Sequence, residues 1–291
     1  MAVSFEDLTK NHPCFALGAK NNNGRIHLPV SPGCNIGCRF CRRDLNDIED
    51  RPGVSSGIIS PDEAVDAVER AITLMPDIHV VGVAGPGDTL ATPYALDTFE
   101  KIKQAHPDLI KCMSTNGLLL NEQAERIIEV GIDSLTVTVN AVDPLLQAEI
   151  NEFIIYHGKR YEGVEAAEIL IHNQLEGIRK VVAGGVTVKV NTVLIPEINA
   201  KHVSEVAKTV AECGATIYNI IPLIPQHRLA WCTEPDCKLL GDVRAEAEKY
   251  IKVFRHCQRC RADAVGVPGG KDISKQIYIR EVKAENTFSH G

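Results

Sequence analysis

Short aliphatic runs alternate along the chain with amphipathic stretches of helical period. The runs cover 26–30, 78–84, 109–113, 135–139, 186–194 and 217–221, lengths that suit buried strands. Ser60-Pro61-Asp62-Glu63 predicts a helix start, with Ser as N-cap, Pro in the first turn and Glu three residues on. Val65, Val68 and Ile72 give that helix its apolar face. Further helices are predicted around Leu96, Phe99 and Ile102, and from a cap at Asn121 through Ile127 and Ile128 to Gly131. Others are predicted over 164–182, 202–212 and 241–255. Residues 1–24 lack periodicity and read as an arm rather than a helix, and 42–59 read as a polar connection. About six strand–helix alternations predict an α/β fold with a parallel sheet and right-handed crossovers. Periodicity alone does not separate a partial barrel from a doubly wound sheet.

Composition narrows the class. The 291 residues suffice for one large domain. Hydrophobic content is 44% but aromatic content only 5%, so the core is aliphatic, as in helix-covered parallel sheets. A net charge of −7 argues against nucleic-acid binding. No apolar run reaches the ~18 residues of a membrane span, and no signal peptide is seen, so a cytoplasmic protein without a membrane partner is expected. Ten cysteines then point to metal or redox chemistry rather than disulfides. Cys112 and Cys213 sit in apolar surroundings and read as small buried hydrophobes.

The sharpest signal is Cys34-x3-Cys38-x2-Cys41 behind the first aliphatic run. Three thiolates can hold three irons of a [4Fe–4S] cluster and leave the fourth iron open. A structural zinc site wants four ligands, and no fourth Cys or His follows closely. The block resembles the signature of the radical S-adenosylmethionine (SAM) superfamily. That resemblance implies a partial (β/α)6 barrel, SAM chelated by the open iron and cleaved to a radical, and Phe40 packed near the adenine. It gives Gly85-Pro86-Gly87-Asp88 the role of contacting the SAM amino group. Thr115, Asn116, Asn140 and Asn191 end successive strands and can bond ribose or carboxylate, or serve as helix caps and turn residues.

A second group lies near the C-terminus, where Cys257 and Cys260 stand at C-x2-C spacing. Two cysteines cannot close a site alone, and Cys14 in His12-Pro13-Cys14 is the obvious third. These motifs occur in order with Arg51-Pro-Gly53, Ser114-Thr-Asn-Gly117 and Cys260-Arg-Ala-Asp-Ala-Val-Gly266. The whole of 11–270 resembles the NifB family of nitrogenase cofactor assembly, in its short archaeal stand-alone form. Three segments follow from the resemblance: an arm 1–24, a barrel 25–240 and a cluster-binding extension 241–291. The family fuses two [4Fe–4S] clusters into a carbide-containing eight-iron core with SAM as carbon donor and radical source. Carried over, Cys14, Cys257 and Cys260 hold one substrate cluster. Cluster-donating carrier proteins and a low-potential electron donor are implied as partners, and a monomer is expected. The family's other cluster position has a His pair and a Cys, where this chain has Lys20, Asn21 and the cysteine-free stretch 44–50. Cys232 and Cys237 can substitute, or are free loop cysteines. A paralogue with an auxiliary cluster and a different substrate stays open, as does a non-catalytic cluster carrier.

Overall fold

The computed structural model describes residues 4–15, 23–258 and 260–278. The chain opens with α1 (Phe5–Asn11), followed by β1 (Gly24–His27), β2 (Ile36–Cys38), β3 (Asp44–Leu45) and β4 (Val54–Ser55). Three repeating units come next: α2 (Pro61–Leu74), β5 (Ile78–Val83), α3 (Tyr94–Ala105), β6 (Ile110–Thr115), α4 (Leu120–Glu129) and β7 (Ser134–Thr138). A short helix α5 (Pro144–Ile150) and a hairpin of β8 (Asn151–Tyr156) and β9 (Lys159–Glu162) precede α6 (Gly163–Ala183). Then follow β10 (Thr187–Leu194), α7 (Val203–Glu212), β11 (Ile217–Pro222), α8 (Cys237–Ala247), β12 (Val265–Gly266) and α9 (Ser274–Ile277).

The main sheet runs β11-β10-β7-β6-β5-β1-β12, parallel throughout except for β12 at its edge. It curls into the expected partial (β/α)6 barrel. Its two faces differ. Outward residues Ile26, Val81, Met113, Leu135, Val137, Val188, Val190 and Ile220 pack with the helices in one aliphatic core. The rows between them carry Arg25 and His27, Gly82 and Cys112, Ser134 and Thr136, Lys189 and Asn191, and Asn219. Both faces of these strands are largely buried, yet one is polar, so the interior is a lined chamber rather than a second core. Its floor is apolar: Leu8, Phe15 and Phe254 close over Val80, Ile110 and Ile217, at or near the strand starts.

Ser60 caps α2 with the full reciprocal bonds to Glu63 that its sequence predicts. Three local expectations fail. The arm contains α1, capped by Ser4, whose single buried residue Leu8 is too little to register as a period. Asn121 is no cap, because α4 begins at Leu120 after Leu119, and its amide reaches Asn173 of α6 instead. The last long helix starts early, at Cys237 behind its Asp236 cap, and ends at Ala247, since 252–254 leave it to bond the backbone of Tyr218. The stretch 144–162 gave no clear element in the sequence. There β8 pairs with β2, so it braces the cysteine loop from the side.

Helices α4 and α6 touch at Gly177, where a β-carbon would stand 2.5 Å from Leu120 Cγ and 2.8 Å from the backbone nitrogen of Asn121. Gly177→Ala should gain about 1 kcal/mol of helix propensity and lose about 1–3 kcal/mol to overpacking. The backbone atom cannot step aside, so net destabilisation is expected in urea melts. A variant as stable as the parent would contradict this packing.

Candidate radical SAM centre

Cys34, Cys38 and Cys41 lie on the loop through β2, at the mouth of the barrel. Gly37 is needed there because the Phe153 ring of β8 would lie 2.5 Å from any β-carbon. Burial raises all three thiols, and their mutual repulsion adds to the shift at Cys38 most. Without metal they are held as thiols, and loading iron must release protons. Arg43 bonds Cys34 and acts on all three sulfurs. Asn116 places its amide 3.8 Å from Cys34 Sγ and 2.8 Å from Asn35 Oδ1. Asn35 Nδ2 and Arg51 Nε are buried beside the loop without partners. Among the described residues no three His, Cys, Asp or Glu converge on a single metal ion. A cubane, by contrast, takes each thiolate on a separate iron, so three adjacent but spread sulfurs fit it.

The loop after β5 is fastened directly to this segment. Gly87 N donates to Ser31 O and Asp88 N to Gly33 O, both at 2.8 Å. A β-carbon on Gly87 would fall 1.9 Å from Gly33 O, so only glycine allows the two backbones to meet. Gly85–Pro86 is a cis peptide. Asp88 turns inward: it is buried and accepts from Thr115 Oγ1, Asn116 N and Leu90 N. Its carboxylate therefore orders the turn after β6, which leaves backbone atoms of 85–87 to face the cysteine loop. Phe40 packs into the small apolar cluster of Ile195, Leu223 and Cys232 at the barrel mouth. Asn140 accepts from Val193 N, and Asn191 Oδ1 accepts from Asn219 Nδ2. None of Thr115, Asn116, Asn140 and Asn191 caps a helix, since the neighbouring caps are Leu119, Asp143 and His202.

The second thiol group gathers beside the apolar floor: Cys14 packs against that cluster, Cys14 and Cys260 are half-buried, and Cys257 is exposed. Cys14, Cys257 and Cys260 interact electrostatically with one another, and Asn219 bonds Cys257. Arg25 Nη2 lies 3.4 Å from Cys260 Sγ. Burial raises both Cys257 and Cys260. Around them His12 Nε2, Arg25 Nε and Asn219 Oδ1 are buried without partners. Cys112, read as a plain hydrophobe, also faces Cys14, and burial lifts its thiol to about 11. Cys213 does lie in the aliphatic core. Cys232 is buried, and burial with Glu197 beside it raises it to about 11, whereas Cys237 is exposed at the start of α8. Lys20 and Asn21 lie outside the described residues.

The sequence matches the radical SAM superfamily over residues 28–210. It is 44% identical over 286 residues to the FeMo cofactor biosynthesis protein NifB of Methanocaldococcus jannaschii, covering 98% of this chain and 95% of that one. The chain belongs to the NifB family of radical SAM enzymes. It is 42% identical to the NifB of Klebsiella pneumoniae over 93% of this chain, but spans only 59% of that protein. A radical SAM methyltransferase from Sphaerobacter thermophilus shares the fold, with a TM-score of 0.59 at 15% identity over 81% of this chain and 66% of that one. Membership carries with it a [4Fe–4S] cluster and SAM. Among the described residues no helix is long and apolar enough to cross a membrane.

What reading the NifB-family sequence missed is the chamber's charge: Arg25, His27 and Lys189 on inward rows, and Arg43 behind the cysteine loop. A charged residue inside an otherwise aliphatic strand was the available signal, at Arg25 and Lys189. His27 gives a test. Burial and then Arg25 lower it to about 4, and it faces the Arg261 carbonyl. The unfolded ring takes its proton near pH 6.5, so between there and about pH 4 the unfolded state binds more protons. Stability of the cluster-free protein should therefore fall with acid across that window, by about 3 kcal/mol at most from this ring. His27→Gln should flatten that stretch of the profile in denaturant melts, and an unchanged slope would count against a buried neutral ring.

Proposed function

We propose that this protein assembles the iron–sulfur precursor of a nitrogenase-type cofactor. In this reading, two [4Fe–4S] substrate clusters are fused into a carbide-containing eight-iron core, with SAM as carbon donor and radical source. The observation that carries it is that Cys14, Cys257 and Cys260, far apart in sequence, lie within electrostatic range of one another on the barrel whose mouth carries Cys34, Cys38 and Cys41. The printed name of its relatives, FeMo cofactor biosynthesis protein, supports the same reading. A bound [4Fe–4S] cluster supplies the electron that cleaves SAM. The chain's own part is to hold and shield: the 85–87 backbone faces the SAM side, Asp88 and Thr115 fix the turn bearing Asn116, and the apolar floor keeps water from the chamber. Cluster carriers and a low-potential electron donor are the partners this reading requires.

A second reading is favoured by the missing ligands. No thiol lies in 42–56. The candidate replacements are one buried, high-pKa thiol and one exposed one, a poor pair for a cluster. Carboxylates there are weaker partners for iron than thiolates. On that account the Cys14/Cys257/Cys260 cluster is auxiliary and the substrate is different.

Three measurements test these readings. Cys41→Ala in anaerobically reduced protein should reduce 5′-deoxyadenosine formation to background, and undiminished formation would overturn the assignment of the SAM centre. Replacing Cys34, Cys38 and Cys41 together by Ala should leave iron bound at the second thiol group. A folded triple variant without iron would remove the two-cluster picture. In the parent protein, formation of a carbide-containing core marks the first reading, and two clusters without such a core mark the second.

A further inference from the structure

Lys189 sits in the middle of β10 on an inward row and is 5% exposed. Among the described residues its ammonium has no carboxylate and no hydrogen-bond acceptor. What surrounds the ammonium is aromatic and cationic. Its Nζ lies 5.3 Å from the centre of the Phe15 ring and 5.7 Å from that of Phe254. Two such contacts return about 1–2 kcal/mol each at best. Arg25, His12 and His27 lie within electrostatic range of one another or of Lys189 and add no negative charge.

The two rings come from the segments that carry the second thiol group: Phe15 is next to Cys14, and Phe254 stands three residues before Cys257. Lys189 also acts electrostatically on Cys257 and Cys112. The arrangement thus sets a cation without a carboxylate partner near the thiols of Cys257 and Cys112. We infer that Lys189 is the positioning counter-charge for an anionic iron–sulfur cluster held by Cys14, Cys257 and Cys260. A cluster held on thiolates is a net anion and becomes more so on reduction, and nearby charge sets its potential. The ammonium therefore favours the reduced state of that cluster. This inference rests on the proposed second cluster.

The test uses full-length protein in the Cys34/Cys38/Cys41→Ala background, so that only the second cluster reports. Its midpoint potential is read by electron paramagnetic resonance during a mediator-poised dithionite titration. Lys189→Met, which fills the slot between the rings without charge, should lower the reduced-to-oxidised ratio at fixed potential at least tenfold, about 59 mV for one electron. Lys189→Arg should restore most of it. In cluster-free protein Lys189→Met should melt no lower than its parent, because the ammonium has no carboxylate partner there to lose. Absence of any cluster in the parent background would sink the two-cluster reading itself. A cluster present in both, with equal potentials, would overturn the role of Lys189 alone. If Lys189→Met holds no cluster while its cluster-free form melts no lower than the parent, the counter-charge is supported in its stronger form. A cluster-free Lys189→Met that melts lower would overturn it, since the lysine would then be a structural group.

Discussion

The two thiol groups are held in one frame by a single buried ion pair, Arg261 with Asp263. Arg261 Nε lies 2.9 Å from Asp263 Oδ1, and its other nitrogens donate to the carbonyls of Glu49 and Asn46. Asp263 in turn takes the backbone and hydroxyl of Ser56, both at 2.6 Å. Ala262 N between them bonds Val54 O, and the Arg261 carbonyl faces the His27 ring. One fork therefore joins the connection behind the first cysteine loop to the segment that follows Cys260. Both partners are mostly buried, so losing one would strand the other without its charge partner, which costs far more than an exposed pair. With that tie broken, nothing else described here would hold the 44–56 loop against the C-terminal cysteines except the Val54 bond.

The repeating units were readable because each strand has an aliphatic outer face and each helix an apolar stripe. Ser60 and Glu63 could be read as a capping box because that interaction is local. The Cys34/Cys38/Cys41 loop was legible for the same reason: its chemistry is written in spacing. What could not be read locally is what lies across the barrel. Asp88 looked free to meet a ligand and is instead spent on Thr115 and Asn116, contacts that exist only once β5 and β6 lie side by side. Asn191 ends in a bond to Asn219 because β10 and β11 put them in register. Cys112 sits on a strand whose sequence is apolar enough to pass for core, yet its row faces the chamber. The helix α1 escaped because one buried leucine in seven residues leaves no pattern to find.

A parallel sheet sandwiched between layers buries both faces in hydrocarbon. Here the outer face alone supplies that stability, and the inner one is released for polar chemistry. The cost is a set of buried groups without partners, His12 Nε2, Arg25 Nε and Asn219 Oδ1 among them. Such groups collect where a structure is prepared for something it must hold.

Cys14 and Cys257 lie almost a whole chain apart in sequence yet lie within electrostatic range of one another and of Cys260. On the ribosome this fixes an order. The mouth loop at 34–41 emerges early, whereas the second thiol group has no existence until Cys260 has left the exit tunnel and closed on β1. A nascent chain therefore has an interval in which it owns one thiol site and not the other. Contacts of such long sequence separation also form late in refolding. The second thiol group is thereby tied to completion of the polypeptide, a temporal checkpoint written into the topology itself.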